Sequence, residues 1–316
     1  MKVLVTGGSS LLGRAVAGRL LARGDTVRCF QRSASDTGAV DVRGDLRDRR
    51  AVLEAADGHD AVVHLAALVA PRPRWAEAYA VNVAGTRHVV SAAAACGRLV
   101  HVSSPSVAFD GGPSVGVGAE PARYAGHDAY ARSKTLAERY VLDHAAFPTV
   151  VLRPHLVWGP GDTQLIGRIV DRARRGRLAL PDHGRAMVDT TWVDDAAAAV
   201  VAGLDRTAGP GEALGRAWVV TGGDPRPLAE LVEGILRAAG LEPAVRSVPA
   251  PVAAVAGRLL GRLWPGDEPP LTHFAARQLS VAHWFDQADT RRVLGWTPAV
   301  DVDRGLEELA RWFADR

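Results

Sequence analysis

Tyr130 and Lys134 stand four residues apart in Tyr130-Ala131-Arg132-Ser133-Lys134, the spacing that puts two side chains on one face of a helix. A phenol is a poor acid or base near neutrality, because its ordinary pKa is about 10. A neighbouring ammonium stabilises the phenolate and lowers that value, which makes proton exchange with an alcohol or ketone feasible. Ser104 follows the apolar run Leu99–Ser103, from whose end its hydroxyl can hold a carbonyl oxygen toward the tyrosine. The trio points to hydride movement on or off a secondary alcohol carbon. Alone, the Tyr–Lys pair would read as an ordinary exposed helical pair; its weight comes from what lies upstream.

Upstream, Thr6-Gly7-Gly8-Ser9-Ser10-Leu11-Leu12-Gly13 joins a strand, Lys2–Thr6, to a helix, Leu11–Arg23, closed by Gly24. Small residues let the backbone approach a pyrophosphate, and the helix start offers N–H groups and partial positive charge. In this context the turn, through Gly7, Ser9, Ser10, Leu11, Leu12 and Gly13, predicts dinucleotide binding; a plain tight turn is the bland alternative. At the end of the second strand, where an acid would bind the ribose hydroxyls of NAD, the chain has Gln31, then Arg32 and Ser33. Arginine beside a hydroxyl suits a 2′-phosphate, so NADP is expected ahead of NAD, with a solvent-facing Arg32 as the alternative. Asp45, next to Leu46, is a candidate acceptor for the adenine amino group or a helix cap.

The elements that must position these groups follow a βα rhythm. Strands are expected at Lys2–Thr6, Thr26–Gln31, Val40–Val42, Asp60–Leu65, Leu99–Ser103 and Thr149–Arg153. Helices are expected at Leu11–Arg23, Arg49–Ala56, Trp75–Cys96 and Asp128–Ala145, and the Gly-, Pro- and Ser-rich stretch Ser104–His127 reads as a loop. Beyond Pro154 the rhythm loosens: helices at Gln164–Arg175, Asp194–Leu204, Pro227–Ala239, Pro251–Leu263 and Val302–Asp315, with extended pieces such as Ala217–Val220. The fold class is α/β, a Rossmann-type doubly wound parallel sheet with a smaller mixed C-terminal substrate-covering region. Residues 1–154 form the dinucleotide-binding part with the catalytic residues; 155–316 form mainly the substrate-binding part, not an independent domain.

Composition removes other classes. A net charge of +3 over 316 residues is too small an imbalance to argue for nucleic acid. The densest basic cluster, Arg168, Arg172, Arg174, Arg175 and Arg177, has no aromatic ladder and reads as a solvated surface. Two cysteines, Cys29 and Cys96, are too few for a disulfide framework and fit a reducing cytoplasm. The first strand begins at once, so no signal peptide is expected, and no uncharged apolar run has the ~18 residues that a spanning helix needs. No His, Cys and carboxylate spacing suggests a metal.

With the turn, His64-Leu65-Ala66-Ala67, Val81-Asn82-Val83-Ala84-Gly85-Thr86, Ser103-Ser104-Pro105-Ser106-Val107, the Tyr130/Lys134 pair and Leu152-Arg153-Pro154, the sequence resembles the extended short-chain dehydrogenase/reductase family over almost its whole length. The resemblance implies that Ala66 and Ala67 lie on the cofactor's nicotinamide side, that Pro154 is also cofactor-binding, that Lys134 also grips the ribose, and that Asn82 supports the proton relay. Ser10 departs from it, standing where a second glycine is usual. Ser104–Gly112 and Arg153–Asp162 are similar to the 3β-hydroxysteroid dehydrogenase branch, most of all to bacterial β-keto acid reductases and also to sterol 4-carboxylate dehydrogenases. That likeness implies a small apolar ketone or alcohol as substrate.

Nucleotide-sugar epimerases and dehydratases of this family, which hold NAD tightly, usually have Asn where this chain has Leu156. That marks their reading down as the alternative, and a non-catalytic NADP(H)-binding module would lack the Tyr/Lys pair. Phe109, His155 and Trp158 are candidates to border the substrate, His155 by pairing with a carboxylate; core or supporting roles are the alternatives. Val252, Val255, Leu259, Leu260, Leu263 and Trp264 could face a greasy pocket, form core or dimer contacts, or meet a membrane with Arg258 and Arg262 on lipid phosphates. By resemblance a homodimer forms through Trp75–Cys96 and Asp128–Ala145.

Overall fold

Short β-branched runs alternating with amphipathic segments build one doubly wound sheet. The computed structural model describes residues 1–124, 126–265 and 269–316. Its central sheet has seven parallel strands: β1 (Lys2–Thr6), β2 (Thr26–Gln31), β3 (Val40–Arg43), β4 (Ala61–His64), β5 (Leu99–Val102), β6 (Thr149–Pro154) and β7 (Arg216–Val220). Their order is β3-β2-β1-β4-β5-β6-β7, the Rossmann arrangement expected from sequence. Order reverses between β1 and β4, so the carboxyl ends of these strands open a crevice there.

Alternation along each strand feeds two cores. Val3, Val5, Val63, Val100 and Leu152 point to one face, against α1 (Leu11–Ala22) and the helix at Val193–Arg206. Leu4, Val62, Leu99 and Val151 point to the other, against α2 (Arg49–Ala56) and the helices that hold Val89 and Val141. Helix α3 covers Trp75–Ala78, a π-helical turn at Tyr79–Ala84, and Gly85–Cys96; α4 is Ala129–His144. Each fully buried Val or Leu contributes about 1.5–3 kcal/mol.

The second face also carries a buried polar seam. Arg153 forks onto Glu138 of α4, with Nε to Oε2 at 2.9 Å, and donates from Nη1 to the Glu120 carbonyl at 2.6 Å. These bonds tie the 104–127 segment to the sheet.

The chain beyond Pro154 adds α5 (Ile166–Arg174), α6 (Val193–Arg206), α7 (Leu228–Ala238), α8 (Ala250–Leu263), α9 (His273–Leu279), α10 (Ala288–Leu294) and α11 (Val302–Ala314). β7 and α6 complete the Rossmann layers, β7 pairing with β6 from Arg216↔Val150 to Val220↔Pro154. Its short apolar run gives no hint from sequence that its partner lies so far back along the chain. A separate core joins Ile166, Leu180, Leu231, Ile235 and Leu309. Among the described residues no helix is long and apolar enough to cross a membrane.

Two expectations are corrected. The 104–127 stretch is not a plain loop: it holds a 3₁₀ turn at Pro105–Ala108 and a strand, Ser114–Val117, paired with His283–Phe285. Only a distant partner makes Ser-Val-Gly-Val a strand. The apolar residues of α8 do not face a pocket. Val252, Val255, Leu259 and Leu263 are 54–74% exposed, because the helix packs through its small face: a Cβ on Gly257 would lie 2.7 Å from the Thr272 carbonyl oxygen.

Candidate active site

The phosphate turn is held by contacts only glycine permits. Gly7 has φ +78°, and a Cβ there would lie 2.8 Å from the Ala66 backbone; one on Gly13 would lie 2.1 Å from the Gly7 carbonyl oxygen. Ser10 is the N-cap of α1. Its hydroxyl donates to the Gly7 carbonyl at 2.8 Å and accepts from the Gly13 N–H at 3.0 Å, which folds it into the turn instead of across the cradle. The first-turn N–H groups of Leu11 and Leu12 have no intrahelical acceptor and line the crevice. A pyrophosphate fits this cradle. Gly13→Ala should therefore cost about 1–3 kcal/mol of stability and weaken dinucleotide binding, read by urea unfolding and cofactor titration.

One cavity of about 820 Å³ collects most of the predicted cofactor residues: Gly7, Ser9, Ser10, Leu11 and Leu12 from the turn, Gln31, Arg32 and Ser33 after β2, Asp45 and Leu46 after β3, and Ala66, Ala67 and Pro154. Gly13 lies beneath it. Gln31 is spent on structure, its Oε1 accepting from Gly8 N–H at 3.2 Å and its Nε2 donating to Asp41 at 2.7 Å. Arg32 is exposed at the rim. Asp45 pairs with Arg47 at 2.6 Å, and the cap of α2 is Asp48, not Asp45.

The same cavity reaches Ser104, Tyr130 and Lys134. Asp128 caps α4 two residues before Tyr130, accepting from Ala131 N–H at 2.8 Å, and so fixes the helix start. Ser104 accepts from the Ser106 hydroxyl at 2.9 Å, which leaves its own proton for the phenol or a substrate oxygen. Ser106 is an orienting residue that sequence reasoning missed, although it stood in the quoted motif.

The electrostatics differ from expectation. Burial pushes the Tyr130 phenol above its ordinary value; Ser104 pulls it down and Asp128 pushes it up. Burial outweighs the expected lowering, and it acts on Lys134 as well. Its amine donates to the Val102 carbonyl at 2.7 Å, and burial brings it down to about 8, with Glu138 opposing. Tyr130 is thus held protonated, a phenol ready to give a proton.

Asn82 sits in the π turn of α3, outside the cavity wall. Its Oδ1 accepts from Leu68 N–H at 2.6 Å and its Nδ2 donates to the Ser133 hydroxyl at 2.8 Å. The side chain therefore pins the segment after Ala67 to α4 beside Lys134, and among the described residues it is hydrogen-bonded to Leu68 and Ser133 and not to Tyr130 or Lys134. A π turn, with one extra residue per turn, aims Asn82 this way.

Of the substrate candidates, Trp158 is corrected to core: it is 1% exposed, its Nε1 donates to Thr190 at 2.9 Å, and it packs on Trp192. Phe109 lines not this cavity but an adjoining one. His155 borders the main cavity, but its Nε2 shares a 2.7 Å hydrogen bond with His283 Nδ1. Burial, with His283, holds it neutral, so it offers no charge to a carboxylate.

Arg168 and Arg172, read as solvated surface, both reach the cavity beside Ile169, Leu178, Leu180, Leu228 and Val232. Their i,i+4 spacing was the signal: with Leu165 and Ile169 it marks one inward face of α5. Leu156 also lines the cavity, in the left-handed region with φ +43°, which costs a leucine about 1–2 kcal/mol. Among the described residues no group of His, Cys, Asp and Glu could hold a metal ion.

Comparison with known proteins agrees with this geometry. The family described as "NAD dependent epimerase/dehydratase family" matches residues 3–217. A 2-alkyl-3-oxoalkanoate reductase of Stenotrophomonas maltophilia is 40% identical, covering 98% of each chain. A 4-hydroxy-2-methyl-3-oxo-4-farnesyl-3,4-dihydroquinoline-1-oxide ketoreductase of Stigmatella aurantiaca is 32% identical over 98% of this chain and 96% of its own. The crystal structure of a short-chain dehydrogenase/reductase superfamily protein from Agrobacterium tumefaciens, with bound NAD, superposes with a TM-score of 0.77 at 27% identity, covering 100% of this chain and 98% of that one. The chain belongs to the NAD dependent epimerase/dehydratase family, in its extended short-chain dehydrogenase/reductase form, and is an NAD(P)-dependent oxidoreductase.

Proposed function

We propose that the protein uses NADPH to reduce the ketone of an apolar β-keto acid, or a comparable sterol-like or polyketide-like ketone, to the secondary alcohol. The observation that carries this reading is the position of Ser104 and Tyr130, where the dinucleotide crevice runs into a chamber walled by Leu156, Ile169, Leu178, Leu180, Leu228 and Val232. NADPH supplies the hydride. Ser104 orients the carbonyl oxygen, and Tyr130 gives it the proton, a role suited to a phenol kept protonated by burial. Lys134 stands one helical turn along, fixed by Val102, to hold the ribose. The strained Leu156 supports an apolar substrate, since asparagine would adopt that backbone more cheaply and bring a polar amide with it.

Arg32 supports NADPH over NADH: no acid stands at the end of β2, and Arg32 and Ser33 line the adenosine end. Arg32→Ala should raise the KM for NADPH about 10–100-fold and leave that for NADH within about threefold, as expected for losing charge-assisted bonds to a phosphate. Equal effects on both cofactors would refute the assignment. The free thiols Cys29 and Cys96 are consistent with a cytoplasmic home, and a homodimer through α3 and α4 belongs to the same reading by resemblance.

The test is NADPH consumption against 2-alkyl-3-oxo acids and 3-oxosteroids, with the alcohol identified by mass spectrometry. Protein that arrives with bound NAD, leaves these ketones untouched and interconverts nucleotide sugars without net NADPH use would establish the epimerase reading instead.

A further inference from the structure

A second cavity, of about 920 Å³, borders the first and shares with it Pro71, Asp128, Thr272 and Phe274. The junction is at the catalytic end, because Asp128 caps the helix that carries Tyr130. The main chamber already offers one apolar arm, toward Leu180 and Val232. The second cavity, beyond the four shared residues, is lined by a different set. One side of it is aromatic: Phe109 and Tyr124 meet Phe274 edge to face, with centroids 5.5 and 5.8 Å apart, while Asp110, His127 and His273 add polar lining. The far wall is the small face of α8 at Gly257 and Gly261.

Arginines also line this space, but the inner ones are turned onto backbone. Arg277 donates to the Gly111 carbonyl at 2.8 Å, and Arg72 to the carbonyls of Gly261 at 2.8 Å and Trp264 at 3.2 Å. They present alkyl stems to the interior. Arg258 and Arg262 are exposed, on the solvent side.

We infer that this second cavity is a binding arm for a second apolar chain, attached at the carbon next to the reacting carbonyl. The ketone at Tyr130 then has one chain in the main chamber and its α-branch between Phe109, Phe274 and Gly261. This rests on the ketoreductase reading and adds to it which space takes which chain. A linear 3-oxo acid fills one arm; a 2-alkyl-3-oxo acid fills both.

The test compares linear 3-oxo acids with 2-alkyl-3-oxo acids of increasing branch length, by NADPH consumption. For wild type, kcat/KM should climb about fourfold per methylene of the branch until the arm is full. Gly261→Leu fills the arm where there is room, since the nearest atom to a Cβ there is 3.8 Å away. It should lower kcat/KM for long-branched acids at least about tenfold and leave linear acids within about twofold. A flat dependence on branch length in wild type, or an equal loss on both substrate types in Gly261→Leu, overturns the second arm while the ketoreductase reading stands. If wild type reduces neither type of acid, that reading fails and the arm fails with it.

Discussion

Tyr130→Phe lowers kcat for ketone reduction about 10²–10⁴-fold, the usual contribution of a positioned general acid, and leaves the cofactor dissociation constant within about threefold. Phenylalanine keeps the ring and its packing at the start of α4 and removes only the hydroxyl. Ser104, oriented by Ser106 at 2.9 Å, still binds the carbonyl oxygen, so KM changes little. Ser104→Ala should show a smaller loss, because Tyr130 can still donate. The pH profile separates this role from a structural one. Burial holds the phenol above its ordinary range, so reduction by wild type should stay flat through neutrality on the tyrosine's account. Full turnover by Tyr130→Phe, with NADPH bound normally, would remove Tyr130 from the chemistry.

What the sequence made legible follows from how far apart the interacting residues lie. The turn at Gly7, the helix pair Tyr130/Lys134 and strands β1 to β6 are written within short windows, as period-2 and period-3.6 patterns, and these the structure reproduces closely. Ala217–Val220 was legible as an extended piece but not as the partner of β6, and Ser114–Val117 is a strand only because His283–Phe285 pairs with it. The site shows the same division. Arg172 looked like surface until α5 turned it inward beside Leu178, and Trp158 looked like a wall until Gly305 and Trp192 enclosed it. The expected lowering of the Tyr130 phenol failed for another reason: spacing shows that Lys134 is near, but not how deeply the phenol and the amine are both buried.

Stability should fall steeply as pH drops below about 6.5, because four imidazoles are buried neutral. His64 is brought down to about 3 and His283 to about 4, and His101 and His155 lie well below the ordinary value, in every case chiefly by burial. Below the unfolded pKa of about 6.5 the unfolded chain takes up protons that the folded chain refuses, so stability present above that pH is lost on acidification, until the folded values are reached. Each imidazole contributes about 1.4 kcal/mol per pH unit, so the four together give about 5 kcal/mol per unit at their steepest, a large share of a typical 5–15 kcal/mol. Urea unfolding between about pH 7.5 and pH 5 reads the slope, and a flat line across that range contradicts the account. His101 isolates the cause. Its ring, 5.2 Å from that of His64, has no hydrogen-bond partner at either nitrogen among the described residues, and Lys134 adds to the penalty for charging it. His101→Leu should therefore keep or raise stability near neutrality and make the acid slope shallower by one imidazole's worth. His64→Leu also removes a proton site, but it forfeits bonds to Thr6 at 2.7 Å and Thr86 at 3.0 Å, and should cost about 1–3 kcal/mol at neutral pH. Opposite signs at neutrality with the same sign in acid would separate the hydrogen bonds of this seam from its refusal of charge.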